Sequence, residues 1–123
     1  DILALCGENI SVYSGDDATA IELILNGAQG SISVSANIVP ALYAKAVRLA
    51  LAGKAEDARA VDARMQVLHT NRFLESNPIP VKWALMEMGK IPTGTRLPMT
   101  LLSEPYHESV RTALRKAGVL DVK

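Results

Sequence analysis

Lysine side chains are the first groups in this sequence that could perform covalent chemistry. A lysine amine forms a Schiff base with a carbonyl compound when a desolvated pocket holds it deprotonated. In a barrel enzyme such a lysine stands at the carboxyl end of a β-strand. Lys82 comes nearest to this description, but it falls on a predicted helix, where its stem is better explained as packing along that helix. None of the lysines directly follows a predicted strand: Lys45, Lys54, Lys82, Lys90, Lys116 and Lys123. We therefore predict no catalytic residue within the chain.

The histidines, the cysteine and an aspartate pair give weak signals of a site. His69 and His107 lie far apart, without a carboxylate or cysteine at ligand spacing, which argues against a metal site. Cys6 is the only cysteine, so we interpret it as a buried apolar thiol. Asp16 and Asp17 could form a carboxylate pair for acid–base work, although the capping of a helix start is the favoured interpretation.

Gly15 and Ile32 are of interest because of where they stand. Gly15 ends one predicted strand, and Ile32 lies in the next, two residues after Gly30. If both strands belong to a barrel, both residues lie near the face where active sites form. A glycine there allows a ligand to approach the backbone, but plain packing explains it equally well. The residues alone leave both interpretations open.

Two short predicted strands position these residues. Residues 10–14 and 31–35 alternate apolar and small polar side chains, which is typical of strands. A predicted helix over residues 18–25 joins them through short links, so the strands are expected to be parallel. Parallel strands are normally covered on both faces, and this unit therefore requires neighbours that the chain does not supply.

From residue 39 onwards the pattern is helical. The predicted helices span residues 39–52, 55–74, 80–88 and 104–117. In the second of them one apolar stripe is formed by Ala58, Val61, Met65, Leu68 and Phe73. The chain also opens on a helical segment that ends at Gly7, without Met, which we interpret as the sign of a piece of a longer protein.

The composition argues against two classes of partner. The formal net charge is zero, from 13 basic and 13 acidic side chains, so a nucleic-acid partner is not expected. No apolar run reaches the roughly 18 residues of a membrane span, so a membrane partner is not expected either. With a single cysteine the chain suits a reducing compartment, and we expect a cytoplasmic location.

Three parts of the sequence resemble the dihydrodipicolinate synthase family. Residues 14–17 (SGDD) and 30–37 (GSISVSAN) look like the seventh and eighth strands of that family. N-acetylneuraminate lyase shares this pattern more loosely. Residues 77–84 (NPIPVKWA) and 96–100 (RLPMT) are more specific to dihydrodipicolinate synthase. The resemblance covers essentially all 123 residues.

This resemblance implies an α/β fold, the TIM (β/α)8 barrel, followed by a C-terminal helical domain. Residues 1–52 would hold the last two βα units of the barrel, with strands near 10–14 and 31–35. Residues 53–123 would form the helical domain, so the chain would be helix-rich. It would be the C-terminal part of a longer enzyme.

The resemblance also implies a function for the parent protein. The family is a class I aldolase type of lyase that condenses pyruvate with aspartate semialdehyde to 4-hydroxy-tetrahydrodipicolinate, in diaminopimelate and lysine biosynthesis. It uses a Schiff-base lysine, needs no cofactor and is usually a homotetramer. That lysine has no counterpart in this chain, so we expect the chain alone to be inactive. Ile32 matches a residue whose backbone contacts pyruvate, and Gly15 matches a glycine close to the same site.

Two other functions stay open. The parent could be a related pyruvate-dependent lyase of the N-acetylneuraminate lyase type. Alternatively, the chain could be a non-catalytic association module, because it lacks the lysine and leaves strand faces bare.

Overall fold

Helices dominate the fold of this chain. The computed structural model describes residues 2–71 and 73–120. The helices are α1 (Ile2–Cys6), α2 (Ala20–Leu25), α3 (Pro40–Leu51), α4 (Ala55–Ala63), α5 (Gln66–Asn71), α6 (Ile79–Glu87) and α7 (His107–Ala117). The strands are β1 (Tyr13–Ser14) and β2 (Gly30–Ser31). Within the described residues, every helix is too short or too polar to cross a membrane.

The two strands form a parallel pair, as predicted. Tyr13 stands opposite Gly30, and Ser14 stands opposite Ser31. The predicted strand lengths, residues 10–14 and 31–35, are wrong, because each strand has two residues. β2 ends early because the backbone turns into helical angles at Val34 and residues 35–37 form a 3₁₀ turn. The Ser33 hydroxyl oxygen accepts from the Ala36 amide at 2.9 Å and stabilises that turn.

The predicted helix over residues 55–74 is wrong in one respect: the chain breaks it into α4 and α5. At the break, the amides of Arg64 and Met65 bond to carbonyls three residues back, at 3.3 and 2.8 Å, and not four. Such 3₁₀ bonds tighten the end of a helix and let the chain change direction. The Met65 side chain fills the core at this corner, with none of its surface exposed. Burial of Met65 therefore coincides with the change of direction.

The other helix predictions are close to the structure. α2, α3, α6 and α7 begin and end within a few residues of the predicted bounds. α7 ends at Ala117 and is capped by Gly118, where φ is +76°. Arg64 reaches this end of α7 and donates from Nη2 to the carbonyl oxygen of Ala117 at 3.4 Å. Glycine fits here because it adopts left-handed angles without a steric penalty.

One apolar core joins the elements on both sides of residue 52. Of the predicted stripe, Ala58, Met65 and Leu68 are buried, whereas Phe73 is exposed and does not belong to it. The main contributions come from Ile21, Ile24, Tyr43, Ala46, Ala50, Ala58, Met65, Leu68, Val81, Trp83, Ala84, Val110 and Leu114. The strand pair therefore rests on a helical body that is packed as one unit.

Candidate functional site

The two predicted site residues lie side by side, just beyond the ends of the strands. The amide of Ile32 donates to the carbonyl oxygen of Ser14 at 2.9 Å, which continues the parallel ladder past β2. The same register places Gly15 beside Ile32. Gly15 is exposed, and the side chain of Ile32 is 79% exposed. The structure thus brings both residues together at the carboxyl edge of the strand pair, on an open face.

The turn that carries Gly15 is fixed by Ser14 and Asp16. The Ser14 hydroxyl donates to the carbonyl oxygen of Asp16 at 2.9 Å, and the Asp16 amide donates to that hydroxyl at 3.1 Å. A Cβ added to Gly15 would meet no atom within 4 Å, and its φ is not positive. Neither strain nor crowding among the described residues requires a glycine at this position.

A chain of hydroxyl groups links helix α3 to the strand ends. The Tyr43 hydroxyl donates to Ser31 Oγ at 2.8 Å, and Ser31 Oγ donates to the carbonyl oxygen of Ser14 at 3.2 Å. Ser31 directly precedes Ile32, and Ser14 directly precedes Gly15. We call these three residues, Tyr43, Ser31 and Ser14, the hydroxyl relay. It ends on the residue before each of the two candidate site positions.

Burial decides the protonation behaviour of Tyr43. Only 4% of its surface is exposed, and burial raises the pKa of Tyr43 above its ordinary value of 10.0. Hydrogen bonds with Ser31 and Ser33 act against this, while the charges of Asp17 and Asp62 raise the pKa further. At neutral pH the phenol therefore keeps its proton and remains a hydrogen-bond donor.

A second polar chain runs from the loop after β1 into the helical body. Asp17 Oδ2 accepts from the Ser35 amide at 2.9 Å, and Ser35 Oγ lies 2.8 Å from His69 Nδ1. His69 Nε2 lies 3.2 Å from Asp62 Oδ1. Gln66 donates to the other Asp62 oxygen at 2.5 Å. We call Asp17, Ser35, His69 and Asp62 the histidine relay.

Hydrogen-bond chemistry gives the direction of the histidine relay. An ionised carboxylate only accepts, so Nε2 of His69 carries the proton that points to Asp62. With the ring in that tautomer, Nδ1 is the acceptor for the Ser35 hydroxyl. All the polar side chains of this relay are buried, and His69 has none of its surface exposed. The arrangement gives each of these buried side chains a hydrogen-bond partner and fixes its position, while its burial closes it to a substrate.

The aspartate pair does not act as a pair. Asp16 Oδ2 accepts from the Thr19 amide at 3.2 Å and from the Thr19 hydroxyl at 2.8 Å, just before α2 begins. Asp16 therefore holds Thr19, the N-cap residue of α2, so the capping interpretation is supported only for the turn that leads into the helix. It is wrong for Asp17, whose Oδ2 reaches the turn after β2. The two carboxylates hold different parts of the backbone.

The remaining side chains singled out by the sequence have structural surroundings. Lys82 is half-buried and lies within α6, so it does not directly follow a strand. Cys6 is a free thiol at intermediate exposure, so the prediction of a buried thiol is wrong. The His107 ring stacks on Trp83, with centroids 4.3 Å apart, and its Nε2 bonds the Leu102 carbonyl oxygen at 2.8 Å. The described residues contain no group of three side chains suited to hold a metal ion.

An ion pair on the surface fastens the strand–helix unit to the helical body. Arg59 on α4 donates from Nε and Nη2 to the two carboxylate oxygens of Glu22 on α2, at 2.6 and 3.0 Å. The hydrogen bond from Arg59 lowers the pKa of Glu22. Both side chains are about half exposed, so this pair contributes orientation more than stability.

Sequence reasoning missed both relays. Asp62 and His69 lie seven residues apart, two helical turns, which would place them on one face of a continuous helix. That spacing was the available signal. The contacts of His69 with Ser35, and of Tyr43 with Ser31, depend on how the helices pack, and a sequence pattern does not reveal them.

Comparison with known proteins gives the family. A family profile described as "Dihydrodipicolinate synthetase family" matches residues 1–117. The chain belongs to the dihydrodipicolinate synthetase family. This family assignment confirms the resemblance to dihydrodipicolinate synthase.

Individual relatives of this family agree with the profile. The chain is 56% identical to a 4-hydroxy-tetrahydrodipicolinate synthase of Pseudomonas savastanoi pv. phaseolicola, over 98% of the chain and 41% of that protein. It is 58% identical to one of Cellvibrio japonicus, over 89% of the chain and 38% of that protein. The chain therefore spans about two fifths of the length of the curated relatives it matches.

A solved structure shows the same fold. The chloride-inhibited dihydrodipicolinate synthase of Acinetobacter baumannii, complexed with pyruvate, superposes with a TM-score of 0.92 at 48% identity. The match covers 96% of this chain and 40% of that protein. The arrangement of the short strands and the helices is thus the one found within a synthase of this family.

Proposed function

We propose that this chain is part of a lyase that condenses pyruvate with aspartate semialdehyde to 4-hydroxy-tetrahydrodipicolinate. Within that enzyme the chain supplies a backbone wall of the pyruvate site, formed by Gly15 and Ile32. The observation that carries the proposal is the placement of these residues side by side at the carboxyl edge of the strand pair. In barrel enzymes this is the edge where active sites form.

The hydrogen bonds within the strand pair decide which backbone groups of the wall remain available to a ligand. The Ile32 amide is engaged by Ser14, so the carbonyl oxygen is the backbone group that Ile32 presents to a ligand. Gly15 contributes open space, because no neighbouring atom would crowd a Cβ there. A glycine that the surrounding fold does not require is well explained by close approach of a ligand.

The place of the chain in the longer protein is part of the proposal. Residues 1–52 form the last two βα units of a TIM barrel, and residues 53–123 form the C-terminal helical domain. A parallel pair of two-residue strands supports this placement, because parallel strands occur in sheets that are covered on both faces. Ile10, Tyr13 and Ile32 are more than half exposed at this pair, where further strands would lie.

Catalysis requires groups from the remainder of the enzyme. The Schiff base joins a lysine amine to the pyruvate ketone with loss of water, and none of the lysines that the structure describes follows a strand. This chain's part is to bind and orient pyruvate. By the resemblance, the parent protein forms a homotetramer and uses pyruvate and aspartate semialdehyde without a cofactor.

The direct test is the activity of the full-length protein that carries this chain. We expect condensation of pyruvate with aspartate semialdehyde, measured by coupling to a reductase that consumes the product. Cleavage of N-acetylneuraminate with no condensation would contradict the proposal and favour the related lyase.

Trapping with borohydride distinguishes the isolated chain from the full-length protein. Borohydride reduces a Schiff base to a stable secondary amine, so pyruvate leaves a permanent mass increase on the lysine that reacted. We expect intact mass spectrometry to show this adduct on the full-length protein and none on the 123-residue chain. An adduct on Lys82 would overturn the assignment of this chain as a non-catalytic part.

A second candidate function, association without catalysis, is favoured by exposed apolar side chains. Leu5 and Ile32 are 85% and 79% exposed. If association is the chain's function, the isolated chain forms oligomers in light scattering, whereas the full-length protein shows no condensation activity. Condensation activity of the full-length protein would show that association is not its only function.

A further inference from the structure

Side chains from the helical body hold the strand ends in place. If the proposed function is right, these side chains also affect how pyruvate binds. The hydroxyl relay enters from α3 and ends at the carbonyl oxygen of Ser14. The histidine relay enters from α4 and α5 and ends at Asp17. Gly15 lies between the two end points on one loop, and Ile32 lies between Ser31 and Ser35 on the other.

We infer that Tyr43 and His69 are positioning residues for pyruvate, which set the geometry of the Gly15–Ile32 wall through the hydroxyl groups of Ser31 and Ser35.

The hydroxyl relay acts on the carbonyl group of Ser14. Ser14 O accepts both from the Ile32 amide, at 2.9 Å, and from Ser31 Oγ, at 3.2 Å. Tyr43 orients Ser31 Oγ by donating to it, so the Ser31 hydroxyl must direct its own proton to Ser14. The carbonyl of Ser14 is thereby fixed just before Gly15.

The histidine relay fixes the other side of the wall. The Ser35 hydroxyl oxygen lies 2.8 Å from His69 Nδ1, while the Ser35 amide donates to Asp17 Oδ2 at 2.9 Å. One residue therefore joins the loop after β1, the turn after β2 and helix α5. Ser35 is 1% exposed, so water cannot replace either bond without a rearrangement of the packing.

A positioning role differs from a plain structural role in what it changes. Loss of a structural hydrogen bond lowers stability and the amount of active enzyme, but leaves the affinity of each folded molecule unchanged. Loss of a positioning bond displaces the wall that contacts pyruvate, because active-site geometry tolerates little displacement. The affinity for pyruvate then falls while the affinity for aspartate semialdehyde is preserved.

The test uses the full-length protein with Tyr43→Phe, Ser31→Ala, both together, and His69→Gln. Tyr43→Phe and Ser31→Ala each remove one hydroxyl group, whereas His69→Gln keeps an amide in place of Nε2 and loses the ring nitrogen that faces Ser35. All three preserve most of the side-chain volume. The chain offers matched controls in Tyr106→Phe and His107→Gln, since Tyr106 and His107 are half-buried residues at the start of α7, with no bond to either relay. Thermal unfolding confirms that each protein folds before kinetics are measured.

The readouts are the KM values of the two substrates and the pyruvate concentration that gives half-maximal borohydride trapping. For Tyr43→Phe, Ser31→Ala and His69→Gln we expect the KM of pyruvate and the half-maximal trapping concentration to rise about three- to tenfold. This is the scale of one lost hydrogen bond. The KM of aspartate semialdehyde should stay within about twofold, and the controls should match the wild type on that scale. The Tyr43→Phe/Ser31→Ala double variant should be no worse than the poorer single variant, because both act through one chain.

Two results would overturn the inference while leaving the proposed function intact. The first is that all variants fold and are active, and that their KM of pyruvate and half-maximal trapping concentration equal those of the wild type. The second is full additivity of Tyr43→Phe and Ser31→Ala. Absence of condensation activity in the wild-type full-length protein would instead overturn the proposed function, and this inference with it.

Discussion

Asp17 Oδ2 accepts a hydrogen bond of 2.9 Å from the backbone amide of Ser35. The two residues stand eighteen positions apart, one after each strand, and both are buried. A charged acceptor makes this bond stronger than a neutral one. It links the loop that carries Gly15 to the turn that follows Ile32, so it joins the two halves of the candidate wall.

The first prediction concerns Gly15→Ala in the full-length protein. The described surroundings leave room for a Cβ, so the free energy of unfolding should change by no more than about 0.5 kcal/mol. The added methyl group would stand on the wall, so the KM of pyruvate should rise. Chemical denaturation and steady-state kinetics measure the two effects.

Gly118→Ala is the matched control for Gly15→Ala. Gly118 has a φ of +76°, and a Cβ there would lie 3.2 Å from Arg64 Nη2. We expect a loss of about 1–2 kcal/mol in stability, the cost of left-handed angles for a residue with a Cβ. The KM of pyruvate should not change. Equal destabilisation by both substitutions would contradict our account of Gly15.

A second prediction concerns the corner between α4 and α5. Met65 has none of its surface exposed, and Met65→Ala would leave a cavity at the point where the chain changes direction. The expected loss is about 2–5 kcal/mol of unfolding free energy. Urea denaturation should show a lower midpoint with an unchanged slope.

Met99→Ala serves as the control for the cavity at Met65. Met99 is half-buried and is not part of the core cluster, so its truncation should cost less than half as much. If the two substitutions cost the same, the burial of Met65 does not stabilise the corner in the way we describe.

The third prediction is a pH dependence that belongs to Tyr43. Because the folded state raises the pKa of Tyr43 above 10.0, folding favours the protonated phenol. The stabilisation is fully present below about pH 10, and it is lost as the pH rises through the raised pKa of the folded state. Tyr43→Phe has no such proton to lose.

Paired denaturation curves measure this dependence. As the pH rises above about 10 the wild type should lose more unfolding free energy than Tyr43→Phe does, and the difference should be flat below about pH 10. Tyr106→Phe should follow the wild type, because Tyr106 lies outside the relay. Parallel curves for the wild type and Tyr43→Phe would show that burial does not perturb this phenol.

Local patterns predicted most of the helices and the direction of the strands. α3, α6 and α7 end close to the predicted residues, because glycine at 53, 89 and 118 ends a helix by chemistry that is local to the chain. The strand lengths were overestimated, since alternation describes which face a residue prefers and not how many partners the ladder has. The single long helix over residues 55–74 was wrong because the burial of Met65 at a corner is a tertiary effect.

The sequence by itself determined the family, the parallel strand–helix unit and the identity of Gly15 and Ile32 as candidate site residues. It could do so because motifs and short-range backbone preferences depend only on residues that are close together in the sequence. Only the tertiary structure decided that Asp17 reaches Ser35, that Tyr43 reaches Ser31, and that His69 stands between Ser35 and Asp62. These bonds join residues 7 to 34 positions apart, and their geometry depends on how the helices pack around the apolar core.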